Sequence, residues 1–157
     1  MAGTHSALGK FSSMVGMSHI SRVHFYAGAL ILLIWVRLRY RSLKPSHLIA
    51  LNRAPKEREE SVASNRAADK HLIAARVAYA VPAIARYVPF RADCLIQALA
   101  AQLLLRRFGV FGQISVGVRK PFEEGTPEFH AWLSWEGAPV VGGDATLYAP
   151  LLTPDLD

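Results

Sequence analysis

The hydrophobic period of the chain changes just after Gly109, and this change limits the fold more than any other feature. Residues 94–108, CLIQALAAQLLLRRF, repeat apolar side chains at helical spacing, whereas residues 113–118, QISVGV, place an aliphatic side chain at every second position. The first pattern is typical of a helix and the second of a strand. The sequence therefore predicts an α+β protein with helices before this point and a small antiparallel sheet after it.

An uncharged run of 12 residues, 25–36, FYAGALILLIWV, lies near the start of the chain and is followed by several arginines. A membrane span needs about 20 apolar residues. A signal peptide would be followed by small residues rather than arginines. We predict a buried or interfacial helix over about residues 19–42, with membrane attachment as the alternative, and a short helix over residues 46–52.

A further helix is predicted before the cysteine helix, starting at Ser64 or Asn65. Pro82 should kink or end it. It carries an amphipathic stripe: Ala68, Leu72, Ala75 and Tyr79. Asp93 is a plausible N-cap for the helix of residues 94–108.

Three strands are predicted after the change of period: residues 113–118, residues 129–135, and Val140 with Val141. A loop over residues 120–128 should join the first two, and a turn at Gly137 and Ala138 should join the second pair. Apolar side chains occur on both faces of the second strand, so we expect the sheet to be covered on both sides. The residues after Asp144 are predicted to be a tail.

The composition fits one globular domain, because 52% of the 157 residues are hydrophobic and 19% are charged. We divide it into a tail (1–19), a helical part (20–88) and a core (89–157). The net charge of +6 favours an acidic peptide or a membrane surface as partner. The basic residues are scattered and form no nucleic-acid-binding motif, so no nucleic acid is expected. A single cysteine excludes an internal disulfide, and a free thiol suits the cytoplasm.

Cys94 is the only cysteine and falls in the first turn of its predicted helix. The free N–H groups and positive dipole end of a helix start stabilise a thiolate, and they would also bind an oxyanion on a carbonyl attacked by the sulfur. However, the apolar stripe of this helix begins at Cys94, and free cysteines are often core residues. From the sequence, Cys94 is therefore either a nucleophile or a core residue.

His130 and Asp144 complete a set of three chemically useful side chains. A histidine in an apolar strand is either a hydrogen-bonded structural residue or a general base. Asp144 follows two glycines at a strand end, where it is either a turn residue or an acid that orients the imidazole. The other histidines form no metal-ligand pattern, and no phosphate-binding loop occurs, so neither a metal nor a cofactor is predicted.

Taken in order, these segments resemble the leader peptidases of lasso-peptide biosynthesis, which have a transglutaminase-like cysteine-protease fold. The segments that carry the resemblance are Cys94 with Leu95, residues 105–109 (LRRFG), residues 114–118 (ISVGV), His130 with Ala131 and Trp132, Glu136 with Gly137, and Asp144.

The resemblance implies a core in which the cysteine helix packs on a small antiparallel sheet. It also implies Cys94 as nucleophile, His130 as base and Asp144 as orienting acid. The enzyme would release the leader of a ribosomally made precursor peptide. It would act with a small leader-recognition protein and an ATP-dependent macrolactam cyclase, as a stand-alone peptidase. One departure is Ser134, which stands where the family carries an acidic residue.

Two functions other than leader peptidase are also compatible with the sequence. A non-catalytic transglutaminase-like subunit of a peptide-maturation complex would need Cys94 to be buried and inert. A membrane-associated protein would need the apolar run of residues 23–36 to insert into a bilayer.

Overall fold

A computed structural model describes residues 19–39, 52, 65–119 and 127–152. The predictions for the tail before residue 19, the short helix up to residue 51, the helix cap at Ser64 and most of the loop over residues 120–128 lie outside this described part.

Three helices precede the sheet in the described part of the chain: α1 (His19–Arg39), α2 (Asn65–Ala85) and α3 (Cys94–Arg107). Helix α1 packs against both α2 and α3. One face of α1 enters the core through Phe25, Ala29, Leu32, Leu33 and Val36, all of them buried. The predicted helix over residues 19–42 is therefore confirmed up to residue 39, as far as it is described.

Helix α2 does not end at Pro82, one of the two predicted outcomes, and it buries other residues than those predicted. Pro82 lies inside the helix, which continues to Ala85. The side chains that α2 buries are Ala74, Val77, Ala80 and Val81. In the predicted stripe, Leu72 and Tyr79 are exposed. The small residues face the neighbouring helices because they allow close packing, and the larger ones lie outside.

Helix α3 is the centre of the core. Ile96, Leu99, Leu104 and Leu105 are at most 2% exposed. The helix ends at Arg107, with Arg106 and Arg107 in its last turn, where positive charge is favourable. Phe108 follows, half exposed, and stacks on Phe25 of α1 with ring centroids 5.0 Å apart. The helix predicted over residues 94–108 is thus confirmed to within one residue.

Within the described ranges, the sheet has four antiparallel strands in the order β3-β2-β1-β4: β1 (Gln113–Arg119), β2 (Phe129–Trp135), β3 (Ala138–Val141) and β4 (Tyr148–Leu152). Helix α3 packs on this sheet, mainly against β2. The predicted α+β class and the packing of the cysteine helix on a small antiparallel sheet are confirmed.

Two details of the sheet were predicted wrongly. The hairpin between β2 and β3 turns at Glu136 and Gly137, which both have positive φ angles of 50° and 74°, so the turn lies one residue earlier than predicted. The supposed tail contains β4, which pairs with β1. Pro150 argued against a strand, but β4 lies at the edge of the sheet, where a proline is tolerated.

The two faces of β2 have different surroundings. Ala131 and Leu133 point to the helices and are buried, whereas His130, Trp132 and Ser134 on the other face are only partly buried. Both faces of the sheet were expected to be covered by other elements. Among the described residues, only the face toward the helices is fully covered. Of the functional candidates, His130 lies on the other face, whereas Cys94 belongs to the helix α3 that packs against the sheet.

Two amide side chains hold the start of the sheet in place. Gln102 is fully buried in α3 and bonds both main-chain groups of Gly112, with its Nε2 2.7 Å from the Gly112 carbonyl oxygen. Asn52 does the same for Ile114, with its Nδ2 2.9 Å from the Ile114 oxygen and its Oδ1 2.8 Å from the Ile114 nitrogen. These bonds satisfy main-chain groups where β1 has not yet met β4.

Candidate active site at the start of the cysteine helix

Cys94 is the first residue of α3 and is partly buried. Its sulfur accepts a hydrogen bond from the main-chain N–H of Ala131, with the two heavy atoms 3.4 Å apart. Ala98 and Ala101, which follow on the same face of the helix, are fully buried. The thiol therefore lies at the rim of the core and beside the main chain next to His130.

The start of α3, beside the thiol, is not capped by the side chain of the residue that precedes it. Asp93 has the extended conformation of an N-cap, but its side chain makes no capping hydrogen bond. Gln97 instead ties the preceding segment to the helix, because its Nε2 donates to the Ala92 carbonyl at 2.7 Å. The first N–H groups of a helix have no acceptor within the helix, so this end can stabilise negative charge on sulfur or on a substrate oxygen.

The imidazole of His130 is held by the main chain of the neighbouring strand. Its Nε2 lies 2.5 Å from the carbonyl oxygen of Gly142. A carbonyl only accepts hydrogen bonds, so Nε2 must carry the proton in the neutral ring. Nδ1 then holds the free electron pair, and it has no hydrogen bond to the described residues. The ring is thus in the tautomer that a base acting through Nδ1 requires.

Gly142 occupies a position that a side chain would disturb. Its φ angle is 105°, and a Cβ built there would lie 2.6 Å from Cβ of Trp132 and 2.9 Å from the Ala131 oxygen. Gly143 also has a positive φ angle, of 67°, but a Cβ placed on it would have no neighbour within 4 Å. The close approach of Gly142 to β2 is what brings its carbonyl oxygen to His130.

Aromatic rings form a wall beside the imidazole. Tyr148 of β4 stacks on His130 with ring centroids 4.7 Å apart, and Trp132 lies 6.3 Å from His130. Between them lies Gly117 of β1, which pairs with His130. A Cβ at Gly117 would lie 3.0 Å from the Trp132 ring and 2.6 Å from the Ala149 oxygen. The missing side chain of Gly117 leaves room for the three rings.

Tyr148 is also tied to a charged pair at the same edge. Its hydroxyl donates to Glu128 at 3.3 Å, and Arg119 donates to the other Glu128 oxygen at 2.8 Å. Partial burial and then the negative charge of Glu128 raise the pKa of Tyr148 above its usual value, with a smaller contribution from Cys94. The bond from Arg119 lowers the pKa of Glu128. Tyr148 therefore stays neutral, and a Cys94 thiolate would lie within its electrostatic range.

Asp144, the predicted acid, lies two residues beyond Gly142 and is exposed. Its carboxylate accepts the main-chain N–H of Thr146 at 2.9 Å, and hydrogen bonds from Thr146 lower the pKa of the carboxyl. No hydrogen bond joins Asp144 to His130 in the described structure. The structure thus brings Cys94 and His130 to the same end of β2, with Asp144 close along the chain but bonded elsewhere.

Four contributors to this site were not predicted: the Ala131 N–H, the Gly142 carbonyl, Tyr148 and Glu128. Main-chain groups carry no signature of their own in a sequence, although the Gly142–Gly143 pair did mark the place where the backbone turns. Tyr148 was missed because its strand was taken for a tail. The described residues contain no group of three or more His, Cys, Asp or Glu side chains placed to hold a metal ion.

Comparison with known proteins identifies the family of the chain but no individual relative. Searches of curated proteins and of solved structures found no significant match. The model of a protein family, described as the transglutaminase-like superfamily, matches residues 30–153. The match covers most of the chain and includes α3, all four strands and both Cys94 and His130. The chain therefore belongs to the transglutaminase-like superfamily.

Proposed function

We propose that this protein is a cysteine endopeptidase that removes the leader from a ribosomally made lasso precursor peptide. The family supports a cysteine-protease type of chemistry. The observation that carries the proposal is the arrangement at the end of β2. The Cys94 sulfur rests on the Ala131 N–H, and the neighbouring His130 donates Nε2–H to Gly142, which leaves Nδ1 as a base. The choice of substrate rests on the sequence resemblance.

In the first half of the proposed reaction, Nδ1 of His130 takes the proton from the Cys94 thiol. The sulfur attacks the scissile carbonyl carbon, and the carbonyl π electrons move to oxygen, where the N–H groups at the start of α3 stabilise the charge. The tetrahedral intermediate then collapses and the carbon–nitrogen bond breaks. The leaving amine takes the proton from Nδ1, and a thioester remains on Cys94.

In the second half, a water molecule gives a proton to Nδ1 as its oxygen attacks the thioester carbon. The carbon–sulfur bond breaks, and the leader is released as a carboxylic acid, which loses its remaining proton to the solvent. The thiolate can then regain its proton from the imidazolium. The same ring acts as base and as acid in both halves, which requires it to keep one orientation throughout.

We assign Asp144 a supporting role, as the acid that orients the imidazole. Its lowered pKa keeps the carboxylate ionised at neutral pH. To orient the imidazole directly, it would exchange the N–H of Thr146 for that of His130. The Gly142 carbonyl supplies the orientation until such an exchange occurs, so the proposal gives Asp144 a smaller share than Cys94 and His130.

The proposed partners follow from the resemblance. They are the leader segment of the precursor, a small leader-recognition protein and an ATP-dependent macrolactam cyclase. The net charge of +6 suits an acidic peptide or an acidic partner surface.

The test is leader release from a lasso precursor peptide, followed by mass spectrometry with the recognition protein present. Wild-type protein should give a leader fragment and a core fragment, and Cys94→Ala should give neither. Ser134→Ala serves as a matched control on the same strand and should cleave normally. Cleavage by Cys94→Ala would refute the proposal.

The second candidate function is a non-catalytic subunit of a peptide-maturation complex. One observation favours it: the buried face of α3, with Ala98, Ala101 and Leu105, begins at Cys94. In that case the thiol would react with an alkylating reagent only after the protein is unfolded. A thiol that reacts rapidly in the native protein would exclude this alternative.

A further inference from the structure

Helix α1 has two apolar faces, and only one of them enters the core. The second face is exposed along the length of the helix, as a row in which neighbours lie three, four or seven residues apart. Its large members and their exposed fractions are Val23 62%, Leu30 40%, Ile31 58%, Ile34 40%, Trp35 47% and Leu38 74%. We call this row the outer face of α1. Monomeric proteins rarely leave such a row uncovered without a use for it.

The charges of α1 have one sign. The helix contains no acidic residue, and Arg37 and Arg39 lie exposed in its last turn. The Arg39 guanidinium carbon lies 5.7 Å from the ring centre of Trp35. Exposed apolar side chains with a tryptophan and arginines at one edge match the boundary between lipid headgroups and acyl chains.

We propose that the outer face of α1 binds the surface of an anionic lipid bilayer. The helix would lie flat, with Leu30, Ile31 and Ile34 directed toward the acyl chains and Arg39 toward the headgroups. No helix in the described part of the chain is long and apolar enough to cross a membrane, so the contact would be peripheral.

A second copy of the chain suits this face less well than lipid does. In an antiparallel pair of α1 helices, Arg37 and Arg39 would meet the end that carries Arg22, and in a parallel pair they would meet each other. Both arrangements bring positive charges together without an acidic partner on α1. An anionic bilayer instead offers an acyl layer and negative headgroups together.

Binding through this face would leave the candidate active site accessible. Helix α1 packs on α2 and α3, whereas Cys94 and His130 lie where α3 meets the sheet. The proposal does not depend on the peptidase function, and substitutions on the outer face should not alter the reactivity of Cys94. Thiol alkylation of each variant therefore reports that the site is intact.

The experiment is flotation of the full chain with vesicles of phosphatidylcholine alone and with vesicles that contain phosphatidylglycerol at roughly one third of the lipid. We expect at least about tenfold tighter binding to the anionic vesicles. Ile31→Gln with Leu38→Gln replaces two strongly exposed aliphatic side chains of the outer face, one in the middle of α1 and one near its end. Arg37→Gln with Arg39→Gln removes the two positive charges in the last turn of α1. Each lost arginine should lower the affinity for anionic vesicles roughly fivefold. Both double variants should lose most of the binding.

The matched control is Tyr87→Gln with Leu147→Gln, which replaces exposed apolar residues outside α1 (83% and 52% exposed). It should float like the wild type. Three outcomes would overturn the proposal: no flotation with anionic vesicles, equal flotation with both vesicle types, or flotation unchanged by both α1 variants. Self-association that the α1 variants abolish, without vesicle binding, would assign the face to a second copy instead.

Discussion

The two ends of strand β2 differ in what their main chain does. Near Trp135, β2 pairs with strands on both sides: Ser134 lies opposite Gln113 of β1 and Pro139 of β3. Near His130, β2 keeps its pairing with β1, but pairing with β3 ends at Leu133 and Val141. There the Ala131 N–H turns to the Cys94 sulfur, and the Gly142 carbonyl turns to an imidazole.

At each end, the main chain of β2 is approached closely by a glycine. A Cβ at Gly112 would lie 2.8 Å from the Ser134 oxygen, and one at Gly142 would lie 2.6 Å from Cβ of Trp132. Gly112 is held there by the buried Gln102, whose amide satisfies both of its main-chain groups. The carbonyl oxygen of Gly142 instead accepts a hydrogen bond from the His130 side chain. The Trp135 end of β2 is therefore the scaffold and the His130 end is the site, because pairing with β3 ends at Leu133 and leaves the first four residues of β2 without a β3 partner on that side.

The largest expected effect in this comparison is that of Cys94. Cys94→Ala should lower leader cleavage at least about 10³-fold, because no other group in the site can form the thioester. The free energy of unfolding should change little, since the side chain is only partly buried. Cleavage is measured by mass spectrometry and unfolding by urea titration. A large loss of stability would instead mark Cys94 as part of the scaffold.

His130 should give the next largest effect. His130→Ala removes the base and should lower cleavage about 10²- to 10⁴-fold. Trp132→Phe, on the same face of β2, keeps an aromatic ring beside the imidazole and should retain most activity. The comparison of single-turnover rates for these two variants separates the loss of the base from a general disturbance of β2. Equal losses in both variants would contradict the assigned role.

Gly142 and Gly143 form a matched pair. Both have positive φ angles, so alanine at either costs about 1–2 kcal/mol of backbone strain. Only at Gly142 would the new Cβ also collide with Trp132. Gly142→Ala should therefore move the carbonyl from His130 and lower cleavage about 10- to 100-fold, whereas Gly143→Ala should stay within about threefold. Similar activities of the two folded variants would show that the carbonyl does not orient the ring.

Substitutions at the Trp135 end of β2 should lower the stability of the protein without changing the reactivity of Cys94. Gln102→Leu keeps the volume in the core but leaves both main-chain groups of Gly112 unsatisfied, at a cost of about 1–3 kcal/mol for a buried group. Urea titration measures this loss. The pH profile of Cys94 alkylation in the folded variant should match that of the wild type. A shifted profile would mean that the two ends of β2 are coupled.

Asp144 should show the smallest effect and a dependence on pH. The bonds from Thr146 lower its pKa in the folded state. This stabilisation of the turn is present above the unfolded pKa of about 3.9, and it is lost as the pH falls through the lower, folded value. NMR titration of the Thr146 amide should follow that lower pKa and be flat in Asp144→Asn.

The same variant tests the catalytic role of Asp144. Asp144→Asn keeps an oxygen acceptor for Thr146 and removes the charge, so we expect less than about tenfold loss of cleavage. A larger loss would show that the carboxylate replaces the Gly142 carbonyl at His130 during the reaction.

Much of the fold and of the candidate site could be predicted from the sequence, and the predictions that were wrong failed for physical reasons. Cys94 and His130 stood out because each residue type has its own chemistry and because a helix start and a strand have recognisable patterns. The role of Gly142 did not, because the group that acts is a carbonyl that every residue possesses. The strand that carries Tyr148 was missed because Pro150 is unfavourable in a strand, unless the strand lies at an edge. The buried face of α2 was assigned to the wrong residues because the neighbouring helices select small side chains, which periodicity alone does not reveal.

Cys94 and His130 are proposed to form a thiol–imidazole pair at the His130 end of β2. The most direct test is the rate of Cys94 alkylation in the native protein as a function of pH, in the wild type and in His130→Ala. An ordinary thiol becomes reactive near pH ~8.5. If the pair exists, alkylation in the wild type is rapid well below that pH, and this rapid reaction is lost in His130→Ala. Alkylation that rises only near the ordinary thiol pKa in both proteins, or only after unfolding, would contradict it.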